Sequence, residues 1–185
     1  MRLLKILSIS CVIAKSAWKF RKPPPIGKWK LNLDGAIFTQ HNLLGVVAIL
    51  RDDSGSMIMA ISRREAGTYI VEEIEALASL RELQMILHMG IPHVILEGDT
   101  LTVVEAIRSS CEEECSYSPL IREIQALLLH FHSFDVLHVT RQGNEAVHRL
   151  ARNAQWMDDT IQWWHNPLDF ILSNLEIDVE GLYAM

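Results

Sequence analysis

The order of hydrophobic periods along the chain most constrains its fold: three strand-like segments come first, and helix-like and strand-like segments then alternate. Lys28 to Ala36 reads KWKLNLDGA, where Trp29, Leu31 and Leu33 alternate with Lys30, Asn32 and Asp34, the period of a half-buried strand ending at Asp34. Leu44 to Leu50 is a buried-strand run, Asp52 to Gly55 a turn and Ser56 to Ser62 a third strand, which predicts an antiparallel meander. In residues 69–90, Ile70, Ile74, Leu77, Leu80, Leu83 and Leu87 recur at helical spacing and Gly90 closes the segment. His93 to Asp99 then predicts a strand, Thr100 to Ser110 a helix, Ser118 to His130 a helix, Phe134 to Thr140 a fifth strand and Asn144 to Trp156 a last helix. This order predicts an α/β fold, a five-stranded mixed sheet with three antiparallel strands and helices on both faces.

The 185 residues suffice for one domain with a full core, and 49% hydrophobic with 22% charged side chains is ordinary for a globular chain. The net charge of -6 conceals an asymmetry. Arg2, Lys5, Lys15, Lys19, Arg21, Lys22, Lys28 and Lys30 all precede the first acidic residue, Asp34, so the body that follows is strongly acidic. Phosphate contacts need Lys and Arg, so nucleic-acid binding here would lean on metal ions, the basic arm or a larger partner protein. Cys11, Cys111 and Cys115 are an odd, sparse set, which argues against a disulfide framework and for a reducing compartment. The Cys111/Cys115 spacing does not match a zinc site.

The first twenty residues superficially suggest a secretory leader, with an uncharged run from Ile6 to Ala14. The run is too short to span a bilayer, and basic residues follow at once. An amphipathic helix or the remnant of a longer upstream region is the better expectation, together with a nuclear or cytoplasmic location and no membrane. Pro23, Pro24 and Pro25 form a stiff spacer. The expected organisation is a basic arm and spacer over 1–25, a domain over 26–157, and a C-terminal extension over 158–185 packed on it.

Three carboxylates stand out. Asp34 and Asp99 end apolar strands and Glu75 lies in the first helix; carboxylates in the order strand, helix, strand can converge on a divalent metal. Each has a plain structural reading as well. Asp34 could be a turn residue, Glu75 one more residue of a solvated helix face beside Glu72, Ser79 and Glu82, and Asp99 the N-cap of the helix after it.

The segments KLNLDGA, LRDDSG, IEALASLREL, VILEGD and HVTRQGNEAVHRLARNA occur in this order. Together they resemble the plant-type reverse-transcriptase-like ribonuclease H domains of retroelement-derived genes. The tail is similar too, through Trp163, Pro167, Ile171, Leu175, Asp178 and Gly181. The resemblance covers about residues 24 to 181 and implies a ribonuclease H-like fold. It also implies that Asp34, Glu75 and Asp99 hold two Mg²⁺ (or Mn²⁺) ions, hard cations that prefer oxygen ligands. Two such ions ~4 Å apart would clamp the scissile phosphate in hydrolysis of the RNA strand of an RNA/DNA hybrid. Such a site would read 2′-hydroxyls and shape rather than base sequence. Gly35, Arg141 and Asn144 become substrate-contact candidates, although Arg141 and Asn144 read first as structural.

In the last helix the family's Arg, Asn, Ala, Asp, Leu, Ala pattern becomes Arg141, Asn144, Val147, His148, Leu150 and Ala151, so His148 replaces a fourth carboxylate. Imidazole is a poor magnesium ligand, and His148 is expected to hold a water or relay a proton; its plain reading is an ordinary helix residue. Val47 and Gly98 also depart from the pattern, and SSCEEECS over 109–116 stands where some relatives carry a basic handle. Trp156, Trp163 and Trp164 are expected to pack against the sheet rather than stack on bases. The expected function is a metal-dependent endonuclease acting on hybrids, and the alternative is a catalytically inactive interaction module of the same fold.

Overall fold

A computed structural model of the protein describes residues 23–67, 69–109, 115–157 and 159–165. Cys11 and the basic arm, Cys111 and most of the acidic run, and tail positions Pro167, Ile171, Leu175, Asp178 and Gly181 lie outside the described residues. Cys115 is exposed and free. No helix among the described residues is long and apolar enough to cross a membrane.

The first strand, β1 (Trp29–Phe38), runs four residues past the expected end at Asp34. Gly35 and Ala36 interrupt the alternation that marks a strand in sequence. The backbone nonetheless keeps its ladder with β2 (Leu43–Arg51), from Lys30↔Arg51 to Phe38↔Leu43. Asp34 therefore sits opposite Val47, inside the sheet. The strand β3 (Met57–Ala66) continues the meander and also outruns its expected end at Ser62, because Arg63, Arg64 and Glu65 pair through their backbones whatever their side chains.

Three helices cover one face: α1 (Val71–Leu87), α2 (Leu101–Arg108) and α3 (Ser118–Leu128). They bury Leu31, Leu33, Leu50, Met59 and Ile61 of the sheet against Leu80, Leu83, Val104 and Ile124. The other face carries α4 (Glu145–Asn153), whose Val147, Leu150 and Ala151 pack on Val47 and Ile49. Successive strand residues point to opposite faces, so β2 is buried on both sides and reads as a continuous apolar run. Gly45 lets α4 approach closely, since a Cβ there would stand 2.6 Å from the Ala151 carbonyl oxygen. The parallel strands β4 (His93–Gly98) and β5 (Ser133–His138) extend the sheet beyond β1.

The sheet has six strands rather than five, in the order β5-β4-β1-β2-β3-β6. The extra strand, β6 (Ile161–Trp164), pairs antiparallel with β3 from Met59↔Trp164 to Ser62↔Ile161. Four largely exposed residues leave little hydrophobic alternation to read in sequence. Trp163 packs against the α4-side core as expected of a packing residue, whereas Trp156 is exposed.

Glu82 of α1 is wholly buried. Its Oε1 accepts from Arg63 Nε at 3.0 Å, and its buried Oε2 has no hydrogen-bond partner among the described residues. Burial pushes this carboxyl up from 4.5 to about 7, against the pull of the Arg63 charge. A folded-state value above the unfolded one means that the folded protein binds more protons, so stability falls as pH rises from about 4.5 to about 7. Glu82→Gln removes this dependence. Urea unfolding is expected to show the variant more stable than wild type by about 1–3 kcal/mol at pH 8, with the difference closing by pH 4.5.

Candidate metal centre

β1 and β4 pair only from Trp29↔Val94 to Asn32↔Glu97. β4 ends one residue later, at Gly98, whereas β1 runs on to Phe38, and the carboxyl end of such a parallel strand is the usual place for a site. Asp34 lies just past the end of this pairing, and Asp99 directly follows β4. Asp99 does not cap α2 as expected; Thr100 holds the N-cap position, without a side-chain cap bond.

Glu75 enters from α1, which reaches this place because Gly35 has no side chain. A Cβ on Gly35 would lie 2.7 Å from Ile74 Cγ1, so any larger residue pushes α1 away from β1. The Gly35 N–H donates to Asp34 Oδ1 at 2.9 Å and to Glu75 Oε1 at 3.1 Å. Asp34, Glu75 and Asp99 each bring one oxygen to within 4.8 Å of the others, and Asp34 and Glu75 are buried. The solvated-face reading of Glu75 therefore fails, because α1 turns this residue toward the sheet.

The cluster is electrostatically strained. Burial raises the Glu75 carboxyl well above its ordinary value, and the Asp34 charge, an Asp34 hydrogen bond and the Asp99 charge raise it further against the Gly35 N–H. Asp99 is also raised, chiefly by burial and then by Asp34, with Arg141 and His148 opposing. Converging carboxylates that hold protons more tightly than usual fit a divalent cation, and an all-oxygen donor set suits Mg²⁺ or Mn²⁺.

His148, on α4, places Nδ1 2.8 Å from Asp34 Oδ2. Its Nε2 lies 2.7 Å from Arg141 NH2. A guanidinium only donates, so Nε2 is the acceptor and Nδ1 carries the hydrogen given to Asp34. With N–H rather than a lone pair toward the carboxylates, His148 is a neighbour of the centre and not a ligand. Arg141 touches the site through His148, and its charge also acts on Asp99.

Asn144 differs from the substrate-contact expectation, because it is wholly buried, with its carboxamide bound to Leu33 and Asn32. It occupies the N-cap position of α4 but makes no side-chain cap bond. Sequence reasoning missed the residues around it. Lys30, Asn32, Arg51 and Glu97 are all buried on the face expected to meet solvent. The clue was complementarity across strands, with two cations on β1 and β2, an anion on β4, and an amide between them.

A family model described as "Reverse transcriptase-like" matches residues 32–154. No curated protein matches the chain in sequence. Among solved structures, ribonuclease H1 of the archaeon Halobacterium salinarum NRC-1 is 21% identical with a TM-score of 0.61, covering 69% of this chain and 97% of its own. The N-terminal ribonuclease H domain of a Mycobacterium tuberculosis protein is 20% identical with a TM-score of 0.61, over 69% and 92%. The compost-derived LC11 ribonuclease H1, solved in complex with an RNA/DNA hybrid, is 15% identical with a TM-score of 0.60, over 68% and 94%. These likenesses show a ribonuclease H-like fold, and the chain belongs to the reverse transcriptase-like family.

Proposed function

We propose that the protein is a divalent-metal-dependent endonuclease that hydrolyses the RNA strand of RNA/DNA hybrids. The observation that carries this reading is the convergence of Asp34, Glu75 and Asp99 to within 4.8 Å where the pairing of β1 with β4 ends. These three would hold two Mg²⁺ or Mn²⁺ ions, which when bound supply Lewis acidity at the scissile phosphate and lower the pKa of water. The protein's own groups do the rest. The Gly35 N–H fixes Asp34 and Glu75 side by side, and burial keeps bulk water from screening them. His148 holds a proton at Nδ1 against Asp34, and it would take up or return the reaction's proton at Nε2 once Arg141 leaves that atom. Preference for the RNA strand would rest on its 2′-hydroxyls, in line with the hybrid complex of the LC11 enzyme. The sparse cysteines accord with action in the nucleus or cytoplasm.

Cleavage of a labelled RNA/DNA hybrid tests the reading. With Mg²⁺ or Mn²⁺ the wild type is expected to cut the RNA strand, and Asp34→Asn to lose activity by on the order of 100-fold or more. Absence of cutting by folded wild-type protein with either metal would leave an interaction module of the same fold.

Thermal unfolding gives an independent check. Mn²⁺ is expected to raise the midpoint of the wild type and not of Asp34→Asn. Without metal the variant is expected to be the more stable, by about 1 kcal/mol or roughly 2–4 °C, because one like charge has left the cluster.

A further inference from the structure

Behind the carboxylates lies a chain of buried hydrogen bonds whose donor directions are fixed. It begins at Arg51, whose NH2 can only donate and does so to Asn32 Oδ1. The Asn32 amide nitrogen must then point the other way. It donates to Glu97 Oε2 at 2.8 Å, while Lys30 Nζ holds Glu97 Oε1 at 2.8 Å, and it also approaches Asn144 Oδ1 at 3.4 Å. With its oxygen turned toward Asn32, Asn144 directs its own amide nitrogen at the Leu33 carbonyl, at 2.6 Å. Asn32 and Asn144 are both fully buried.

Two features set this arrangement apart from ordinary helix capping. Asn144 ends a 3-10 turn, Arg141–Asn144, that runs straight into α4 and is capped by Thr140, whose hydroxyl accepts from the Gly143 N–H, so the Asn144 side chain is not used as a cap. Its bonds go to β1 instead, at the two residues before Asp34. The parallel ladder between β1 and β4 also stops at Asn32↔Glu97, and Asn144 donates to the carbonyl of the very next residue. One side chain thus ties the backbone beside Asp34 to the start of the helix that carries His148 one turn later.

We infer that Asn144 is a positioning residue, which holds Asp34 and His148 in contact by locking the first turn of α4 onto β1 at Leu33. The inference rests on the metal-centre reading for its catalytic consequence, but not for its geometric one. Truncation leaves the Leu33 carbonyl and an Asn32 N–H without their partner and frees α4 to shift along β1. Asp34 then loses both a fixed backbone and the imidazole N–H at Oδ2.

The test compares Asn144→Ala and the isosteric Asn144→Asp with Leu150→Ala, a truncation in the buried face of the same helix, in the full chain at a temperature where all are folded. Asn144→Asp keeps the acceptor for Asn32 but loses the donor to Leu33, so it serves if the alanine variant does not fold. Both Asn144 variants are expected to bind Mn²⁺, measured by calorimetry, about 10-fold or more weakly and to lose kcat by about 10-fold or more, with KM little changed. Leu150→Ala is expected to be destabilised while keeping its metal affinity and kcat. Asn144 variants that keep both, or that lose no more than Leu150→Ala does, overturn the inference. If the wild type neither cuts nor binds metal, the nuclease reading fails and ¹⁵N-edited spectra of the His148 imidazole decide. A hydrogen-bonded Nδ1–H present in wild type and Leu150→Ala but lost in the Asn144 variants supports the positioning role, and its persistence in them overturns it.

Discussion

Burying carboxylates side by side is costly, and much of the structure around β1 is organised by that cost. Asp34 and Glu75 are shielded from water and lie close to Asp99 where the pairing of β1 with β4 ends. Among the described residues their repulsion is eased by few groups: the Gly35 N–H and the His148 imidazole are brought up to Asp34 and Glu75, and the Arg141 charge acts on Asp99. Such a cluster persists only because strands paired on one side and helices packed on two faces hold it there. The local strain is stored against the cohesion of the core.

The polar network under the site answers a different demand. Lys30, Arg51 and Glu97 are buried charges, and an unpaired buried charge would cost several kcal/mol. Glu97 is held by Lys30 and Asn32, and Arg51 by Asn32, so the group behaves as one unit. A set of apolar side chains of similar volume would serve stability as well. Directional bonds give something that apolar packing does not, namely a single registry between β1, β4 and the start of α4. Gly35 plays the matching part on the opposite face, where its missing Cβ sets how closely α1 approaches.

The element order, the mixed sheet and the two helical layers were legible in sequence because each rests on a hydrophobic period. The strand ends were not. β1 continues through Gly35 and β3 through Arg63–Glu65, since backbone pairing is indifferent to side-chain polarity once a neighbouring strand is in place. β6 was invisible for the same reason, because an exposed edge strand carries almost no pattern. Asp34, Glu75 and Asp99 could be picked out by residue type and position, but their separation could not, because it depends on the close approach at Gly35. Asn32 and Lys30 looked like the wet face of a half-buried strand, and only the arrival of α4 and the facing Arg51 and Glu97 make that face dry. Asn144 read first as structural and, through the resemblance, as a substrate contact, but its actual partner, the Leu33 carbonyl, lies 111 residues away in sequence.

On the proposed reading, the same electrostatics would make substrate and metal depend on one another. The described domain is acidic, and a nucleic-acid hybrid is a polyanion, so approach of its backbone to three clustered carboxylates is unfavourable until cations intervene. On that reading, cations in the centre would neutralise the carboxylates and attract the phosphate, while a bound phosphate would add oxygen ligands and negative charge that favour the cations. Thermodynamic linkage requires this help to be mutual and equal in free energy. Protons compete with the cations for the same oxygens, most of all at Glu75, whose carboxyl burial and its neighbours raise furthest. If the centre holds metal as proposed, metal affinity would rise with pH through the range in which Glu75 gives up its proton, and hybrid affinity would rise with it.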